Sequence, residues 1–221
     1  MSVNRSRDHY PSTNATSKMH KPIEAGPMPC PTAVPLPEAY SRVTNPERFR
    51  PLQTLMVELI GRLEATFDVE RLEGYGLDDE LERADLARPS VRLLPRDTSA
   101  ASIAVSFTAF PGLLVRVGRW RIDAFPSCGC DACDETIDGE GARLTQMVDD
   151  VTAGRFREAM WVPEVGDAWQ ESEFCSPSGG SSNRARVDRS YALQMLAGSD
   201  CLRLEWRPWP RGKKADRTQP V

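Results

Sequence analysis

Apolar positions fall at helical spacing in three stretches of the chain and alternate with polar positions through most of the rest. After Thr44-Asn45-Pro46-Glu47, residues Leu52, Leu55, Met56, Leu59, Ile60 and Leu63 share one helical face. Thr44 with Glu47 reads as a capping box, or Asn45 caps with Pro46 at the first helical position, and Pro51 to about Thr66 is the main helix. A second helix is expected from about Cys133 to Ala153, with Ile137, Leu144, Met147, Val148 and Val151 on one side and Gly154 as its stop. Val187, Tyr191, Ala192, Met195 and Leu196 predict a third, ending at Gly198.

Between these helices the period is two. Phe67, Val69 and Arg71 predict one strand, Val91 and Leu93 another. Ile103, Val105, Phe107 and Ala109 lead through Pro111-Gly112 to Leu113, Val115 and Val117, a hairpin with a type II-like turn. Trp120, Ile122 and Ala124 read as a bent continuation of its second arm past a bulge at Gly118. Further strands are expected over Phe156 to Val162, around Trp169 to Phe174, and at Leu202, Leu204 and Trp206, with a loop over Ser178 to Asn183. Helices interspersed with hairpins make this an α+β fold: an antiparallel sheet with about three helices and no internal repeat. Residues 1–36, rich in Ser, Thr, Asn and Pro, predict a disordered tail, 37–212 a single domain, and 213–221 a basic disordered tail.

Charge and composition mainly exclude. The net charge of −4 disfavours a nucleic-acid partner, so a protein is the better expectation. No apolar run approaches the ~18 residues of a membrane span and no secretory signal is visible, which makes the cytoplasm the expected compartment. All four lysines sit in the two ends, so the body uses arginine alone. Both histidines, His9 and His20, lie in the N-terminal tail, so the body cannot by itself host a Ser-His-Asp triad, a Cys-His pair or an H-E-x-x-H zinc site. Phosphate-loop, dinucleotide and G-x-S-x-G signatures are missing.

The sharpest chemical feature is C-x-C-x2-C: Cys128, Cys130 and Cys133, between a strand end and an expected helix start. Gly129 lets the backbone turn between two of the sulfurs. Three readings follow. Cys128, Cys130 and Cys133 can hold a metal, most simply zinc, with Asp131, Asp134, Cys175 or Cys201 as candidates for a fourth ligand. Cys130 and Cys133 can instead form a C-x-x-C redox pair at a helix N-terminus, against which Asp131, Asp134 and Glu135 argue by disfavouring a thiolate. Or the cysteines only pack. The acidic run from Asp131 to Asp150 reads as a solvated helix face. Arg184, Arg186 and Arg189, with Arg203, Arg207 and Arg211 near Trp206 and Trp209, read as ordinary surface, as do Glu171 and Glu173 on an edge strand.

The strings PLPEAYSRVTNPERF, FTAFPGLLVRVGRW, FPSCGCDACDE and EWRPWPRG resemble an uncharacterised actinobacterial family, a domain of unknown function, over about Pro35 to Gly212. The resemblance implies one domain in a bacterial cytosol and carries no catalytic residues. The expected function is a non-enzymatic interaction or accessory domain whose cysteine cluster binds zinc structurally. The alternative is a metal- or thiol-dependent enzyme using the same cluster.

Overall fold

The computed structural model describes residues 42–177 and 179–212; both predicted tails lie outside them. The architecture is α+β, with two antiparallel sheets in place of one. The first has five strands in meander order: β1 (Val69–Gly74), β2 (Ser90–Pro95), β3 (Ile103–Phe107), β4 (Leu113–Val117) and β5 (Arg121–Phe125). The second has four in the order β8-β7-β6-β9: β6 (Phe156–Trp161), β7 (Ala168–Ser176), β8 (Gly179–Val187) and β9 (Cys201–Glu205).

Helix α1 (Arg50–Thr66) follows a 3-10 turn over Pro46–Phe49. Its buried Leu52, Met56, Leu59, Ile60 and Leu63 meet the inner face of the first sheet, where Val91, Leu93, Ile103, Val105, Val115 and Val117 stand at period two. Each such side chain withdrawn from water contributes about 1.5–3 kcal/mol. Leu144, Met147, Val148 and Val151 of α2 (Ile137–Thr152) join the same core, and Arg62 of α1 reaches Asp149 of α2 at 2.9 Å. Helix α3 (Arg189–Leu196) covers the far end of the second sheet, packing Ala192 and Leu196 with Met160 and Trp120.

Several expectations change. The capping box at Thr44 does not form: Thr44 bonds to Asp131, Glu47 pairs with Arg50, and Asn45 starts the 3-10 turn without a side-chain cap. Gly112 does not take the positive φ of a type II turn. Gly118 (φ +63) is a turn and not a bulge, so β5 is a separate strand folding back on β4 from Arg121↔Val117 to Phe125↔Leu113. Helix α2 begins at Ile137, not Cys133, because Thr136 caps it by accepting from the Gly139 N–H. The expected loop from Ser178 to Asn183 is strand β8 from Gly179 onward. It also takes in Val187, the first apolar residue of the expected third helix, so that helix begins at Arg189 instead. Strand β7 lies between β6 and β8, so Glu171 and Glu173 are not on an edge; they face Arg184 and Arg157 across the strands. The acidic helix face is only partly solvated, since Glu140 and Asp150 are buried and bound by Arg143 and Arg155.

One buried carboxylate ties the two sheets together. Glu158 on β6 is 3% exposed. Its two oxygens accept from the N–H groups of Arg119 (2.9 Å), Trp120 (2.9 Å) and Arg121 (3.3 Å) in the β4–β5 turn, and from Trp206 Nε1 (3.0 Å). Burial pushes its carboxyl above the ordinary value, while the four N–H donors pull the other way. A Cβ on Gly118 would lie 2.3 Å from a Glu158 oxygen, so glycine is what allows the turn to sit on the carboxylate.

Candidate metal centre

The segment from Pro126 to Glu135 leaves β5 and loops back before α2 begins. Its conformation is set by main-chain bonds to side chains. Glu135 accepts from the Cys128 and Gly129 N–H groups (3.1 and 2.7 Å), closing the loop on itself. Arg48 donates to the Gly129 and Cys130 carbonyls at 3.3 and 3.4 Å. The Asp131 N–H donates to the Arg42 carbonyl (2.9 Å), and the Asp131 carboxylate accepts from the Thr44 N–H (3.0 Å) and hydroxyl (3.2 Å). The loop therefore forms the seat for the chain leading into α1.

Within this seat the Sγ atoms of Cys128, Cys130 and Cys133 all lie within 4.8 Å of one another, and those of Cys130 and Cys133 are 3.3 Å apart. Two sulfurs bound at about 2.3 Å to one tetrahedral ion stand about 3.8 Å apart, so the spacing suits a shared cation. Cys130 is buried, whereas Cys128 and Cys133 are exposed. Hydrogen bonds from Cys128 and Cys133 hold Cys130 below the ordinary thiol range, and hydrogen bonding to Cys130 and Cys128 pushes Cys133 up to about 12. Without a cation, three adjacent thiolates repel one another; a divalent ion reverses that balance.

The sequence placed all three cysteines correctly as a group, but not their setting. Cys133 lies in the loop, four residues before α2, so no helix N-terminus favours its thiolate. That weakens the C-x-x-C redox reading. None of the proposed fourth ligands joins the group among the described residues. Asp131 is taken by Thr44, Cys175 lies on β7 against Arg157, and Cys201 is exposed on β9. Thr44, Arg48 and Glu135, which build the loop, were not singled out as site residues. The basic cluster disperses: Arg184 and Arg186 pair with Glu171 and Asp167, and Trp209 is buried with its Nε1 on the Ala101 carbonyl.

Gly129 has φ +78, and a Cβ there would stand 2.9 Å from the Phe110 ring and 3.1 Å from Pro126. Gly129→Ala therefore costs about 1–2 kcal/mol from the backbone alone. Its expected outcome is at least tenfold weaker zinc binding in a competition titration, because the turn that brings Cys128 toward Cys130 no longer closes.

A family model matches residues 27–213, a range that takes in all of the described residues. The chain belongs to DUF6226, a family of unknown function. No curated protein and no solved structure matches the chain. No helix among the described residues is long and apolar enough to cross a membrane.

Proposed function

We propose that this DUF6226 chain is a non-enzymatic accessory or interaction domain in which Cys128, Cys130 and Cys133 hold a zinc ion structurally. The observation that carries this reading is the convergence of three sulfurs within 4.8 Å in a loop whose Asp131 and Glu135 carboxylates are bound to main-chain N–H groups. Glu135 and Asp131 are spent on main-chain N–H groups, so neither is free as a general base beside the ion. What the loop holds is the approach to α1, through Arg42, Thr44 and Arg48. A metal there would rigidify that approach, as structural ions do when binding is linked to folding. The fourth position is left to a ligand outside the described residues, which would close the site as a structural zinc requires. A bacterial cytoplasmic setting and a protein partner belong to the same proposal.

The test is elemental analysis of the reduced full-length protein, with thiol counting before and after chelation. One zinc per chain and three thiols that react only after chelation are expected. Protein that takes up no zinc at micromolar free ion, with all thiols equally reactive, would overturn the reading.

A further inference from the structure

The outer face of the first sheet, turned away from α1, carries a second and separate feature. In register across β2, β3 and β4, Arg92 pairs with Ala104 and Ala104 with Arg116. Two guanidinium side chains thus rise on either side of a small residue, on the floor of a cleft of about 550 Å³. That volume is the size of a small-molecule site. Arg119 stands at the rim on the β4–β5 turn, while Leu94, Met195 of α3 and Trp206 supply an apolar wall.

The charges in this cleft are unequally satisfied. Arg116 is held by Asp78 (2.7 Å) and Glu80 (2.8 Å), and it also donates to the Arg119 carbonyl at 2.9 Å. Arg96, also in the lining, pairs with Glu70 at 3.2 Å. Neither Arg92 nor Arg119 makes an ion pair among the described residues. Arg92 is half-buried, and its Nε is fully buried with no hydrogen-bond partner among them. A guanidinium taken partly out of water without a counter-charge is costly, and its planar fork of donors matches an oxyanion. The wall is also held in place: Trp206 is fixed by its Nε1 bond to Glu158, and the same carboxylate binds the Arg119 N–H. The apolar wall and the backbone at Arg119 are therefore positioned before any ligand arrives.

The geometry points to a binding site for a small organic anion, with a phosphate or carboxylate head on Arg92 and Arg119 and a flat apolar body against Trp206 and Met195. This site is independent of the cysteine loop and of any metal in it.

Calorimetric titration of the full chain with phenyl phosphate, benzoate and benzyl alcohol tests the assignment. The three probes share a ring and differ in the head. At least one anion is expected to bind at least tenfold more tightly than benzyl alcohol, and more weakly as salt rises. A preference between the two anions identifies the head. Arg92→Ala is expected to weaken that binding at least tenfold and Arg92→Lys less. Arg119→Ala, at an exposed position that does not endanger folding, is expected to weaken it severalfold, while Arg184→Ala on the other sheet leaves it unchanged. Anions that bind no better than benzyl alcohol would overturn the proposal. So would anion binding indifferent to both Arg92→Ala and Arg119→Ala in variants with native circular dichroism.

Discussion

Glu158→Ala is expected to lower the stability of the fold by about 3–5 kcal/mol, the combined cost of orphaning several buried donors at once. The substitution leaves the Arg119, Trp120 and Arg121 N–H groups and the Trp206 indole without their acceptor. Each donor stranded in the interior costs about 1–3 kcal/mol, and water entering the vacated space recovers part of that. For a body of this size the loss corresponds to roughly 6–20 °C in melting temperature. Glu158→Gln should recover only a fraction. Its amide oxygen can still accept, but its NH₂ group meets other donors. An unfolding free energy for Glu158→Ala, from chemical denaturation, within about 1 kcal/mol of the parent would mean that the two sheets are held together elsewhere.

Cys130→Ser comes second in size and addresses the metal directly. Cys130 is the buried member of the trio, with its carbonyl bound by Arg48 and its sulfur 3.3 Å from Cys133. If zinc binds only the folded state, protein saturated a thousandfold above its dissociation constant gains about 4 kcal/mol. The expected result is that Cys130→Ser melts well below the zinc-loaded parent and at nearly the same temperature as the chelated parent. Chelator should not move the variant. Cys201→Ser, exposed on β9 and outside the cluster, serves as the control and should behave like the parent. A parent whose melting temperature is the same with and without chelator removes the structural metal. Loss of a thiol-dependent activity at unchanged stability would favour the enzymatic alternative instead.

Legibility in the sequence followed the range of the forces involved. Helix α1 and strands β2 to β4 are visible because each turns its large apolar side chains to one face, which leaves a period of 3.6 or 2 in the chain. Strand β8 was not visible: Gly179-Gly180-Ser181-Ser182-Asn183 carries no apolar alternation and is exposed along its length. It is a strand because its backbone pairs with β7 from Ser176↔Gly179 to Ala168↔Val187, and backbone pairing leaves no mark in side-chain pattern. The start of α2 was misplaced for a related reason. Cys133, Asp134 and Glu135 lie next to an amphipathic stretch, but Glu135 closes the cysteine loop and Asp134 takes a left-handed φ of 49, leaving Thr136 to cap.

By itself the sequence determined the α+β composition, the arginine-only body without histidine, and the gathering of three cysteines within six residues. These are properties of composition and of neighbours along the chain. Tertiary structure alone decided that the strands divide into two sheets, that Thr44 serves Asp131 and does not cap a helix, and that Glu158 binds a turn 39 residues away. It also decided that Arg92 lies in a cleft with no ion-pair partner among the described residues. Hydrogen bonds and charges act through space, and only the closed fold brings such distant groups within reach of one another.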